Sequence, residues 1–414
     1  MTLTEHALKI GTSAVETVRP DEAVRSALRD FRPSGRVVLV AIGKAAWRMA
    51  SAAREELGEA IAGGIVITKE GHSEGAIGPL AIREASHPIL DERTLSATAE
   101  ALEMVEGLTA DDTVLFLVSG GGSALFEKPL PGITLEDLQS ITGDLLRGGA
   151  DIVTVNTVRK RCSLVKAGRF AETAAPANVE ALILSDVLGD RLDSIASGPA
   201  ATDESTIDEV REIVKQYNLQ PSPAVAEALA TETPKSLDNV RSRIVGSVSV
   251  LCAETRKATE AAGYPALFLT STLQGEAREA GRFFAEIARE IRTSGYPRPA
   301  PCAVLAGGET VVHVTGEGLG GRNQEMALAA AIALDGLPDV AFLALASDGT
   351  DGPNDAAGGI VDGTTASRMR EAGLKPADML ADNDSYHALD AVGALVRTGP
   401  TGTNVNDIAL LMCG

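Results

Sequence analysis

Ser347-Asp348-Gly349-Thr350-Asp351-Gly352 sets two carboxylates three residues apart among two hydroxyls and two glycines. It follows Val340-Ala341-Phe342-Leu343-Ala344-Leu345-Ala346, an apolar run that reads as a buried strand. In open α/β sheets, ligands collect just beyond the carboxyl ends of strands. Carboxylates there can hold Mg²⁺ when substrate phosphates complete its shell, which makes Asp348 and Asp351 the candidate metal ligands. A capped turn would use the same residue types. What favours chemistry is that the pattern of apolar run and Gly/Ser/Asp loop recurs along the chain.

Thr113-Val114-Leu115-Phe116-Leu117-Val118 feeds Ser119-Gly120-Gly121-Gly122-Ser123. Consecutive glycines let backbone N–H groups come close to a phosphate, and the two hydroxyls add donors. No Gly-Lys-[Ser/Thr] closes the loop, so it is not a Walker A motif. Lys44 stands just past the strand Arg36–Ile42, where a helix is expected to open, a position that attracts anions. Asp186 follows the strand Glu180–Leu184 and is preferred over Asp190 and Asp193 because it is nearest the strand end. Glu309, in Gly307-Gly308-Glu309, follows a further strand and could reach a metal or a substrate hydroxyl; a salt bridge is the competing use. Arg322, at the start of an apolar helix, looks like an anion clamp.

Gly316-Glu317-Gly318-Leu319-Gly320-Gly321 matches the dinucleotide fingerprint GxGxxG, so a nicotinamide-dependent enzyme is a rival reading. Glu317 would place a negative charge beside a pyrophosphate, and the strand expected at Thr310–Val314 looks like half of a hairpin with Cys302–Ala306. A non-catalytic ligand-binding protein is the second rival. The histidines show no metal spacing, and no Gly-x-Ser-x-Gly elbow is present.

The elements that must position these residues alternate between strands and helices, which argues an α/β protein. Helices are expected over the first thirty or so residues, Thr94–Leu108, Leu135–Arg147, Asn156–Ala175, 276–292 and Arg322–Leu334. The strand Asp407–Met412 comes last. The apolar runs stop between Pro199 and Val240, so a first domain of 1–240 and a second of 241–414 are expected, with the N-terminal helices free to pack on either. At 44% hydrophobic and 3% aromatic residues, the cores must be aliphatic. A net charge of −20 argues against a nucleic-acid or anionic-membrane partner. Cys162, Cys252, Cys302 and Cys413 are scattered, which suits reduced thiols in a cytoplasmic protein. No signal-peptide pattern or apolar run of spanning length is seen.

Taken together, Ile42-Gly43-Lys44-Ala45, Ser119-Gly120-Gly121-Gly122-Ser123, Asn156-Thr157-Val158-Arg159-Lys160 and Ser185-Asp186-Val187-Leu188-Gly189-Asp190 resemble the class II D-glycerate 2-kinases, the MOFRL-type glycerate kinases. The resemblance continues through Ser197-Gly198-Pro199, Gly307-Gly308-Glu309-Thr310, Gly320-Gly321-Arg322-Asn323-Gln324-Glu325, Ser347–Pro353 and Gly402–Asp407. It implies two α/β domains flanking a cleft, the first Rossmann-like with three α/β/α layers, the second smaller with a mixed sheet. It implies ATP and D-glycerate as the bound reactants, and the reading of the acidic loop adds Mg²⁺ held through Asp348 or Asp351. It implies that Lys44 and Arg322 are cleft residues tied to catalysis; with the loop reading, Asp186 is expected to be catalytic as well, and Ser119, Gly120, Gly121, Gly122, Ser123, Glu309 and Asn323 are expected to bind the nucleotide. A monomer or homodimer is expected. Some relatives are labelled hydroxypyruvate reductase, which is the nicotinamide rival again.

Overall fold

The computed structural model describes residues 1–33 and 35–414 and divides into two compact units, Ala23–Val245 and a second made of Met1–Glu22 with Gly246–Gly414. The chain crosses at Val245/Gly246 rather than at 240/241. The first helix, Leu3–Thr17, goes with the C-terminal unit.

The Ala23–Val245 unit is built on β1 (Val37–Ile42), β2 (Ile61–Lys69), β3 (Leu80–Ala85), β4 (Thr113–Val118), β5 (Asn178–Leu184) and β6 (Val240–Gly246), in the order β3-β2-β1-β4-β5-β6. The first five run parallel. This is the doubly wound order, and its direction of winding reverses between β1 and β4, where ligands gather. Every residue of β1 and β4 is buried, which is why both read as unbroken apolar runs. Val38, Val40 and Ile42 share a core with Ala97, Ala101 and Val105 of the helix Glu92–Val105. Phe116, Phe126 and Phe170 close that core with ring centroids 4.6–5.9 Å apart, each pair adding about 0.5–1.5 kcal/mol beyond its buried area. The helix Ala46–Leu57 packs on β1, β2 and β4. A separate helical cluster around Leu138, Leu145, Val158 and Val210 lies beside it.

The second sheet comprises β7 (Ala266–Leu273), β8 (Cys302–Gly308), β9 (Val340–Ala346), β10 (Gly358–Asp362), β11 (Leu395–Val396) and β12 (Asp407–Cys413), ordered β11-β10-β9-β12-β8-β7. Only β7 and β8 pair in parallel; the other pairings are antiparallel, so the sheet is mixed. The helices Ala277–Ser294 and Arg322–Ala333 share a core with Val304, Phe342 and Leu411. Leu3–Thr17 and Val248–Ala261 also pack on this sheet, with Gly11 close against Leu343.

Three sequence expectations give way. Thr310–Val314 is not a strand: Val311 makes one isolated parallel bridge to Glu276. The hairpin with β8 cannot form because β7 and β12 already occupy both sides of β8. Asn156–Ala175 is two helices, Ile152–Arg161 and Arg169–Ala174. They are separated where Ala167 and Gly168 take φ +54° and +85° and donate to the carbonyls of Ser197 and Gly198. The helix after β1 begins at Ala46, so Lys44 lies in the turn before it. Among the described residues, no helix is long and apolar enough to cross a membrane.

Candidate active site

The carboxyl ends of β1, β4 and β5 gather one set of candidates. Ser119 ties the first two strands together: its amide and hydroxyl donate to the Ile42 carbonyl at 3.0 and 3.1 Å, and its oxygen accepts the Ala45 amide at 3.1 Å. Lys44 donates its backbone N–H to the Gly120 carbonyl at 2.9 Å. The Lys44 side chain is exposed. Glycine is required in this loop. A methyl group on Gly120 would strike the Asp186 carboxylate, and one on Gly121, where φ is +85°, would crowd His87 and the Lys44 stem. Ser123 meets Ser197 through their hydroxyls at 3.0 Å. Ala196 and Ser197, at φ +51° and +62°, hold a backbone conformation that costs non-glycine residues energy and clusters at functional sites.

Beneath the loop, Lys166 is wholly buried and donates to the carbonyls of Ser123 and Phe126 at 2.9 and 3.1 Å. Its counter-charge is Glu127, equally buried, 3.5 Å away. Burial brings the Lys166 ammonium down to about 8, with Glu127 opposing that fall. A cavity of about 920 Å³ runs from Gly120, Gly121 and Ser123 past Asp186 to Thr157 and Ile213, all within this one unit. It is of a size to hold a nucleotide-scale ligand.

The second set lies at one end of the other sheet. Antiparallel β12 begins where β8 and β9 finish, so Asp407 stands opposite Gly308 on one side and Ala346 on the other. Arg322 Nε and Nη2 bond Asp407 at 2.5 and 3.2 Å, and Nη1 bonds Glu309 at 3.1 Å. Burial pulls the Arg322 guanidinium down, but the hydrogen bond and charge of Asp407 outweigh it and leave it above the usual arginine value. Burial pushes the Asp407 carboxyl up to about 6 despite Arg322. Asp407 was not among the residues singled out by type and spacing; a lone acid heading a fully buried apolar strand was the available signal.

Asp351 and Asp348 have different surroundings. Asp351 is buried, and both its oxygens are taken by the N-terminus of the helix Arg322–Ala333: the amides of Asn323 and Gln324 donate at 3.1 and 2.8 Å, and their side chains at 3.2 and 3.0 Å. Burial raises the Asp351 carboxyl while these donors oppose it. Asp348 is half-buried and accepts the Thr350 amide at 2.9 Å. Asn323 is thus part of the Asp351 cap, and Glu309 is a partner of Arg322.

The GxGxxG segment is not a pyrophosphate cradle. The amides of Gly316, Glu317, Gly318 and Leu319 already donate to Asn383, Asp382, Asp382 and Asp384 at 2.9–3.2 Å. The glycines serve this close contact, since methyl groups on Gly316 and Gly318 would strike Asp382 and Asp384. No strand precedes the segment directly.

Residues 6–230 match a domain of unknown function, DUF4147, and residues 302–407 match the MOFRL family. A protein of Thermotoga maritima named D-glycerate 2-kinase is 52% identical over 98% of this chain and 97% of its own. The chain belongs to the MOFRL-type glycerate kinase family. A crystal structure of glycerate kinase from Thermotoga maritima superimposes with a TM-score of 0.96 at 51% identity, covering 100% of this chain and 99% of that one. Another relative, from Agrobacterium vitis, is 41% identical over 98% of this chain and 93% of its own and carries a provisional hydroxypyruvate reductase name. Within this glycerate kinase family the candidates fall into two sets. Lys44, Ser119–Ser123 and Asp186 belong to one unit; Glu309, Arg322, Asn323, Asp348 and Asp351 belong to the other.

Proposed function

We propose that this chain transfers the γ-phosphoryl group of ATP to the C2 hydroxyl of D-glycerate, giving ADP and 2-phosphoglycerate. The observation that carries the reading is the meeting of Lys44 with the open backbone of Gly120–Gly122 at the point where the doubly wound sheet reverses. Such a loop binds the phosphates, and phosphoryl transfer needs positioning and charge neutralisation more than covalent help. The cavity beside the loop takes the rest of the nucleotide. Lys44 neutralises charge on the moving phosphoryl group, and Arg322, oriented by Asp407 and Glu309, does the same for phosphoryl or substrate carboxylate. Asp186, fixed against Gly120, accepts the hydroxyl proton.

The residues suit a nucleotide-borne Mg²⁺ rather than a resident metal. Among the described residues no cluster of three His, Cys, Asp or Glu side chains could hold an ion alone. Asp348 would supply one ligand, with phosphates and water the others. When bound, Mg²⁺ neutralises phosphate charge. The protein acts in the cytoplasm, as a monomer or homodimer. Hydroxypyruvate reduction is disfavoured by the occupied amides of the GxGxxG segment.

An ADP-release assay with D-glycerate, followed by phosphorus NMR of the product, tests the reading. Nicotinamide oxidation with hydroxypyruvate, and no ADP, would overturn it. A product phosphorylated at C3 would correct its regiochemistry.

A further inference from the structure

The corner of the Ala23–Val245 unit beside the glycine loop holds more positive character than Lys44 alone supplies. The ends of β1 and β2 and the segment after β3 bring Lys44, Lys69, His72 and His87 together in a chain whose net charge is −20. His72 donates from Nδ1 to the Lys44 carbonyl at 3.1 Å, so one imidazole has a structural task. The other does not. The half-buried His87 ring makes no side-chain hydrogen bond among the described residues, and it presents Nε2 and Cδ2 to Gly121. A Cβ on Gly121 would stand 3.1 Å from both ring atoms and 3.3 Å from Cγ of Lys44. The bare α-carbon thus keeps a lysine stem and an unpartnered imidazole edge side by side at the loop.

A part-buried imidazole with no partner gives up solvation for nothing unless a ligand completes it. The neighbouring lysines identify that ligand as an anion. We propose that His87 directly ligates, beside Lys44, the phosphate group that rests on the Gly120–Gly122 loop. The inference rests on the phosphate-loop reading above. Burial first, then the charges of Lys44, Lys69 and His72, hold the His87 imidazole below the usual histidine value. Asp186, against Gly120 on the neighbouring strand end, is the acid that bears on the same loop. A phosphate dianion would favour the imidazolium, so its binding draws a proton onto His87.

The test is an imidazole ¹H–¹⁵N NMR titration of the full chain, with and without tripolyphosphate, His87→Gln assigning the signal. The His87 midpoint is expected to move upward on adding tripolyphosphate. His87→Phe should lower kcat/KM for ATP at least about tenfold without changing the melting temperature, and His87→Asn, which keeps a donor, should recover part of the loss. A midpoint indifferent to saturating tripolyphosphate, or wild-type kinetics in His87→Phe, would overturn the proposal. If the ring responds to tripolyphosphate but the wild-type protein forms no ADP with D-glycerate, the anion ligand stands and the kinase reading fails.

Discussion

Arg322 and Asp407 form a two-pronged pair, Nε to Oδ2 at 2.5 Å and Nη2 to Oδ1 at 3.2 Å, with the carboxylate buried at the head of the central strand β12. Such a pair fixes the direction of the guanidinium as well as its charge. Because burial raises Asp407 to about 6, the folded chain retains this proton where the unfolded chain, near the ordinary 3.8, has lost it. Its contribution to stability is therefore greatest below the unfolded value and declines as pH rises to about 6. The effect on activity runs the other way. Beside Glu309, Arg322 has the charged form of its two-pronged partner Asp407 only above about 6, so kcat/KM should fall on the acid side with a midpoint near that value. Asp407→Asn should lower kcat/KM and remove that limb. A pH–rate profile with the limb unchanged in the variant would assign the ionisation to another group.

Lys44→Ala should reduce kcat by about 10²–10³, the usual cost of removing one preorganised charge, with an unaltered melting temperature because the side chain is exposed. Arg322→Ala should lose as much activity but also melt earlier, since Asp407 would stay buried without its partner. If both cations act on one transfer step, the double variant should be little slower than either single one. Steady-state ADP release and thermal denaturation on the same preparations decide this. Turnover near wild type in either single variant removes that residue from the mechanism.

The two aspartates after β9 should separate in their response to magnesium. Asp348→Asn should raise the Mg²⁺ concentration needed for half-maximal rate. Asp351→Ala should act mainly through the helix it caps, lowering stability by about 1–2 kcal/mol while shifting Arg322. A Mg²⁺ titration of each variant, with a urea melt, tells the roles apart; a raised Mg²⁺ requirement for Asp351 alone would reverse them.

Gly120→Ala should be among the most damaging small substitutions, because the new methyl group meets the Asp186 carboxylate. A loss of kcat is expected with little change in the melt, as Asp186 is displaced. Alanine at Gly63, which like Gly120 is not at positive φ and has nothing within 4 Å of an added Cβ, is the control for adding a methyl group without a contact. Equal behaviour of the two would show that the contact with Asp186 does not matter.

Lys166→Met should destabilise the unit by up to roughly 3–5 kcal/mol, since it leaves the buried Glu127 with only Arg159, 3.8 Å away, as a counter-charge. Adding Glu127→Gln should recover much of that loss. Equilibrium unfolding of the two single variants and the pair gives the coupling directly. Additive losses would mean that Lys166 acts only through the Ser123 and Phe126 carbonyls.

How much was legible in the sequence depended on burial. β1, β4, β8, β9 and β12 are buried on both faces, so their residues form continuous apolar runs. β3 carries Arg83 and Glu84 at a sheet edge, β10 opens with Gly358 and Gly359, and β11 is two residues long, so none of the three announces itself. Thr310–Val314 has strand-forming residues but no free edge to join, a tertiary fact absent from local composition. In the site, Lys44 and the glycine loop are adjacent to strand ends and could be read directly. That Asp351 caps a helix could not, because its donors Asn323 and Gln324 come from a distant segment. Nor could Asp407, whose place follows from the antiparallel register of β12.

The order of β12 carries a consequence for how the protein is made. Until Asp407–Cys413 has left the ribosome, β8 and β9 have no strand between them, and the Leu3–Thr17 helix lacks a finished sheet to lie on. The Ala23–Val245 unit, whose strands have all been synthesised long before, can complete itself first. During translation, therefore, the first helix must wait undocked while the body that follows it closes.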